Sequence, residues 1–264
     1  MDNNQISELI NLSDSNAITP DELLRKLRSL PFDDIDFAKI DHHRLLRQGL
    51  PEAVYAPNKT SEQCAAIVAN LLEKSSGPVL LTRANDEQTA ITLDRCPGGN
   101  VSATTVKGET LNLITWREWP EQDDKVLIVT AGTSDQAVAF ECAAALKAYG
   151  VAPSHIYDCG VAGIHRLLHH LDELLDADIV IVMAGMEGAL ASVVGGIVAA
   201  PVIAVPTSTG YGSAFEGITA LLAMLSSCAA GVSVMGIDNG FGAACATIRI
   251  LRGTSYNKIS RLAP

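Results

Sequence analysis

KVLIVTAGTSD at 125–135 and DIVIVMAGMEGA at 178–189 decide the fold. Each is an apolar run without polar alternation that ends in a glycine-bearing turn. A strand that is apolar on both faces is buried on both, as in a parallel sheet covered by helices. Three further runs have strand length: His155–Asp158, Val202–Val205 and Val232–Ile237. Helical stretches fall between the strands, near 135–149, 164–175, 188–199 and 216–228, and a last helix spans about 241–252. Strands alternating with helices predict an α/β, three-layer domain around a parallel sheet of five or more strands.

Working outward, charge density divides the chain. Residues 1–124 hold 32 charged side chains, and the 140 residues from 125 to 264 hold 17. The fall occurs across the polar segment 120–125, which predicts two domains, 1–124 and 125–264. The first half reads as a smaller α/β domain with a helical lead-in. Thr19-Pro20-Asp21-Glu22 opens a helix to about Leu30, stopped by Pro31. Residues 33–59 read as irregular and charged. Thr60 with Gln63 opens a helix to about Lys74; a strand near 78–82, a helix at 86–94 and strands near 101–106 and 111–116 follow.

Composition removes several function classes. A net charge of −11 gives no general attraction to nucleic acid or anionic lipid, and 5% aromatics leave little for base stacking. Between Glu187 and Asp238 the single charged residue is Glu216. Gly195, Gly196, Pro201 and Pro206 cut that stretch into pieces short of the ~20 residues needed to span a bilayer. The expectation is therefore no membrane insertion, and burial against further copies in a homo-oligomer. MDNNQISELINL has neither a basic nor an apolar signal region, and the six cysteines form no CxxC pair. A cytoplasmic protein with reduced thiols is expected.

Ligands of open parallel sheets bind beyond the carboxyl ends of the strands, so the turns there carry the functional reading. Gly132, Thr133, Ser134 and Asp135 enter a helix and can receive a phosphate on free N–H groups, or can form a plain capped turn. Asp158, Gly160, Val161, His165 and Arg166 form a second glycine-bearing turn, with Arg166 suited to phosphate or carboxylate. Met186 and Glu187 follow the third strand, and a carboxylate at such a place suits proton transfer. Gly210 lies in a polar loop, 206–213, long enough to close over a ligand. Asp238 is placed to cap the last helix. Cys228 alone is not selected by these rules, because a helix C-terminus disfavours a thiolate.

The motifs TAGTSD (130–135), DCGVAGIHRLL (158–168), AGMEGALASVVGG (184–196), AVPTSTGYG (204–212), LLAMLSSCAAGV (221–232) and IDNGFGAA (237–244), in this order, resemble the LarB family of nickel-pincer cofactor biosynthesis. FAKIDHHRLLRQGLPEAVY (37–55) and KTSEQ (59–63) resemble its N-terminal region. The second half also resembles, more distantly, the PurE class of purine carboxylases and mutases. The histidine that this class carries after its AGxGGA turn is replaced here by Leu190-Ala191-Ser192. The resemblance implies carboxylation of the pyridinium ring of nicotinic acid adenine dinucleotide by CO2 or bicarbonate. It also implies hydrolysis of the phosphoanhydride to AMP and pyridinium-3,5-biscarboxylic acid mononucleotide. It implies Cys228 as nucleophile, Glu187 as base, the turn residues above as substrate contacts, and a homo-oligomer, an octamer by analogy with the mutases. Mg2+ is expected for the hydrolysis; its ligands are not assignable beyond the candidates Asp135 and Asp158. A purine-type mutase and a non-catalytic nucleotide-binding protein stand as alternatives. Asp41, His42, Arg44 and Arg47 of the first half could face a ligand or solvent.

Overall fold

The computed structural model describes residues 3–15, 17–23, 32–42, 44–106 and 109–260. The chain forms two compact units, Met1–Trp119 and Pro120–Pro264.

In the first unit, helix α1 (Asn3–Asp14) precedes a helical turn at 20–23. Thr19 and Glu22 form the expected capping pair, Glu22 N donating to Thr19 Oγ1 at 3.2 Å and Thr19 N to Glu22 Oε2 at 2.8 Å. The rest of that predicted helix, 24–30, lies outside the described residues. The stretch 33–59 is not wholly irregular. It contains β1 (Asp33–Asp34), β2 (Lys39–Ile40), α2 (Arg44–Gln48) and β3 (Ala53–Tyr55). The remaining elements are α3 (Ser61–Lys74), β4 (Val79–Ala84), α4 (Asp86–Arg95), β5 (Asn100–Val106) and β6 (Glu109–Trp116). Their sheet runs β3-β4-β6-β5, parallel at β3/β4 and antiparallel elsewhere. Asp41 and Arg47 form a two-pronged ion pair at 3.0 and 2.5 Å, and His42 Nε2 lies 2.9 Å from Asn70 Oδ1.

The second unit contains β7 (Val126–Thr130), α5 (Gln136–Ala148), β8 (Ser154–Ile156), α6 (Ile164–Leu168), α7 (Leu171–Asp176), β9 (Ile179–Ala184), α8 (Ala189–Ile197), β10 (Val202–Pro206), α9 (Ile218–Leu225), β11 (Ser233–Val234) and α10 (Gly240–Ser260). The five strands form one parallel sheet in the order β11-β10-β9-β7-β8. Every residue of β7, β9 and β10 is buried, which is why these runs show no polar alternation. The predicted α/β, three-layer architecture with a five-stranded parallel sheet is the one observed, beside a smaller α/β unit with a four-stranded sheet.

Three elements differ from expectation. The predicted helix 164–175 is two helices, separated at His169 and His170. The predicted strand 232–237 is regular only at Ser233–Val234. Beyond it the chain still follows β10, Met235 N donating to Ala204 O at 2.8 Å and Asp238 N to Pro206 O at 2.9 Å. The helix expected over 216–228 stops at Leu225, so Cys228 lies in the following turn. Ahead of that helix, Phe215 (φ 44°) and Glu216 (φ 52°) are both left-handed, followed by Gly217 (φ 95°). No helix among the described residues is long and apolar enough to cross a membrane.

Candidate functional site

The strand order places a topological switch between β7 and β9. The chain leaves β7 toward β8 on one side and returns to β9 on the other. Crevices in open α/β sheets form at the carboxyl ends of such a pair. The two turns that open there are the two stretches from which the fold was read.

The turn after β7 is held by Asp135. Gly132 N donates to its Oδ2 at 2.8 Å and Thr207 Oγ1 donates to its Oδ1 at 2.5 Å, across 72 residues of sequence. Asp135 is 2% exposed. Burial pushes its pKa up from the ordinary carboxylate value. The bonds from Thr207, Gly132, Thr209 and Gly185 pull it down without cancelling that effect. Thr133 and Ser134 remain exposed on the rim.

The turn after β8 packs directly on it. Asp158 is left-handed (φ 56°), its N–H donating to Thr130 Oγ1 at 3.3 Å, while Cys159 N donates to Thr130 O at 3.0 Å. A Cβ on Gly160 would stand 2.9 Å from Ala131 O, so a side chain here would separate the two turns. Arg166 Nη1 donates to Asp158 Oδ2 at 2.6 Å, and both are well exposed to solvent. Val161 is half-buried and His165 exposed.

The turn after β9 is drawn against the 207–210 loop. Met186 is left-handed (φ 53°) and its N–H donates to Thr209 O at 2.9 Å. A Cβ on Gly185 would overlap the same carbonyl oxygen. A Cβ on Gly210 would meet Ala214 and approach Met186 Sδ to 3.4 Å. Glu187 projects from this turn and is exposed. Asn239 caps the last helix, accepting from Gly242 N at 2.7 Å. Asp238 accepts from Ser208 N at 2.8 Å, holding the loop from its far side.

The structure thus brings Gly132–Asp135, Asp158–Val161, Arg166, Met186, Glu187 and Gly210 to one rim. Thr207, Thr209 and Thr130, which bind these turns together, were not singled out from sequence, since their partners are distant along the chain. Asp135 and Asp158 are both engaged within the protein: both Asp135 oxygens accept hydrogen bonds and Asp158 is paired with Arg166.

Cys228 lies in the turn that follows α9. Gly217, at the start of α9, abuts Thr207 O beside the carboxyl end of β10. From there α9 runs back toward the amino edge; its eight residues cover about 12 Å. Cys228 comes three residues after its end, just ahead of Ser233, which pairs with Ile203 near the start of β10. Its turn is tied to α8, Ser227 Oγ lying 2.7 Å from Ser192 Oγ, five residues along the chain from Glu187. Of the six cysteines, Cys228 alone is exposed; Cys64, Cys96, Cys142 and Cys159 are buried and Cys245 is intermediate. Burial pushes the Cys64, Cys96, Cys142 and Cys159 thiols up, away from the reactive thiolate.

Comparison with known proteins accounts for both units. Residues 32–106 match a family described as LarB/PurE-like N-terminal domain, and residues 125–263 match AIR carboxylase. An uncharacterized protein of Methanocaldococcus jannaschii is 39% identical over 233 residues, 86% of this chain and 89% of that protein. A crystal structure of a substituted PurE2 from Treponema denticola shares 18% identity over 54% of this chain and all of its own, with a TM-score of 0.38. These carboxylase domains support an enzyme of carboxylase type. The ordered pair of domains, an N-terminal LarB/PurE-like unit followed by an AIR carboxylase unit, is that of the LarB family, and the chain belongs to it.

Proposed function

We propose that the protein carboxylates the pyridinium ring of nicotinic acid adenine dinucleotide and hydrolyses its phosphoanhydride, releasing AMP and pyridinium-3,5-biscarboxylic acid mononucleotide. The observation that carries this reading is the single exposed thiol, Cys228, in a chain whose other cysteines are buried or partly so. A pyridinium ring is electron-poor and does not attack CO2. The Cys228 thiolate adds to the ring carbon para to nitrogen, and the displaced electron pair neutralises the nitrogen. The adjacent carbon is then an enamine carbon and forms the new bond to CO2. Glu187 takes the ring proton from that carbon, the C–S bond breaks, and aromaticity returns as the thiolate leaves. Water then cleaves the anhydride; Mg2+, were it bound to the phosphates, would neutralise their charge. The Gly132–Asp135 and Asp158–Arg166 turns offer N–H groups and a guanidinium for those phosphates.

The exposed face of α9 supports association of copies of this chain. Ile218, Leu222 and Leu225 recur at helical spacing on one side, adjoined by exposed Tyr211 and Phe215. We assign this face to a homo-oligomer, an octamer by resemblance.

The test is mass spectrometry of protein incubated with the dinucleotide, bicarbonate and Mg2+, beside Cys228→Ala and Glu187→Gln. Ring-carboxylated mononucleotide plus AMP, absent in both variants, is the expected result. Turnover of carboxyaminoimidazole ribonucleotide instead, with Cys228→Ala fully active, would favour a purine-type mutase.

A further inference from the structure

We propose that Ser192 is a positioning residue for the Cys228 thiol. The inference rests on reading Cys228 as the nucleophile. Cys228 is the middle residue of a small loop that is closed when Ala229 N donates to Ser227 Oγ at 3.2 Å. A serine hydroxyl bonding two residues ahead fixes the backbone of the residue between. The Ser227 hydroxyl is itself held: it shares a 2.7 Å, part-buried hydrogen bond with Ser192 Oγ, 35 residues earlier on α8.

One turn further along α8, Gly195 meets the same segment. A Cβ there would stand 2.9 Å from both Ala229 Cβ and Val232 Cγ2. The helix thus grips the cysteine turn twice, by a hydroxyl ahead of Cys228 and by close backbone approach behind it. The contact at Gly195 is apolar and sets distance. The bond at Ser192 is directional and sets where the turn points. Removing the Ser192 hydroxyl frees Ser227 to change rotamer and releases the turn that orients the thiol, while the packing at Gly195 persists. A nucleophile held less well reacts more slowly without a matching change in substrate affinity.

The experiment compares Ser192→Ala, Ser192→Thr and Ser227→Ala with the wild type as full-length oligomers. The first readout is the iodoacetamide alkylation rate of the Cys228 peptide, followed by mass spectrometry and needing no substrate. The second is kcat and KM in the carboxylation assay. Ser192→Ala is expected to shift the alkylation rate and lower kcat by about three- to tenfold, the scale of one neutral hydrogen bond, with KM unchanged. Ser192→Thr restores both, and Ser227→Ala reproduces the Ser192→Ala result from the other side of the bond. Wild-type alkylation and kcat in folded Ser192→Ala overturn the inference, as does the same result in Ser227→Ala should Ser192→Ala not fold. A shifted alkylation rate in the variants, with no turnover of the dinucleotide by the wild type, overturns the reaction and upholds the positioning.

Discussion

Asp135 shows how a single side chain can serve both fold and rim. Its carboxylate joins the β7 turn to Thr207, and burial holds its pKa above the ordinary value of 3.8. For a carboxyl raised on folding, the stability contribution is complete below the unfolded value and is lost as pH rises through the folded one. Asp135→Asn does not titrate. Its melting temperature relative to the wild type should therefore rise from acid toward neutral pH, measured by circular dichroism from about pH 3 to pH 7. A constant offset across that range would show that Asp135 is not raised. Gly185 is a second decisive residue. An added Cβ overlaps Thr209 O, a backbone atom, and comes within 2.8 Å of Thr207 Oγ1. Gly185→Ala should cost about 1–3 kcal/mol or more in urea unfolding, because the 207–210 loop must leave its place.

At the scale of elements, local signals that carry their own partners were legible. Thr60 accepts from Gln63 N at 3.2 Å while Gln63 Oε1 accepts from Thr60 N at 3.0 Å, as the two residues read in sequence imply. Thr60→Ala should lower stability by about 1 kcal/mol, read from the denaturation midpoint. The buried strands β7, β9 and β10 were equally plain, because burial on both faces removes polar residues from the run. Features dependent on distant partners were not plain. β3 is three residues long and exists because β4 pairs with it. The tie from Thr207 to Asp135 leaves no mark at either position. Asp238 sits where a cap is expected but faces Ser208, because the chain beyond β11 continues along β10. The turns of the site were found because glycine-bearing turns after buried strands are local. The hold on the Cys228 turn, from Ser227 to Ser192, depends on a distant partner, and no motif spells it out.

At the scale of the molecule, the α9 face exposes Ile218, Leu222 and Leu225 along one side. Leu222, 57% exposed, lies at its centre. Leu222→Glu should give a smaller particle in light scattering with unchanged far-ultraviolet circular dichroism. An unchanged particle mass would reject this face as the contact between copies. The strained residues beside it extend the point. Phe215 and Glu216 each hold a backbone conformation that costs about 1–2 kcal/mol for a side-chain-bearing residue, and Phe215 is 66% exposed in the single chain. A lone protomer carries this strain with little contact to offset it, whereas a neighbour covering the face would supply that contact. Folding and association are then one equilibrium, and mass action governs it. The melting temperature should climb as the protein is concentrated, and a dilute sample should unfold first at the residues nearest its neighbours.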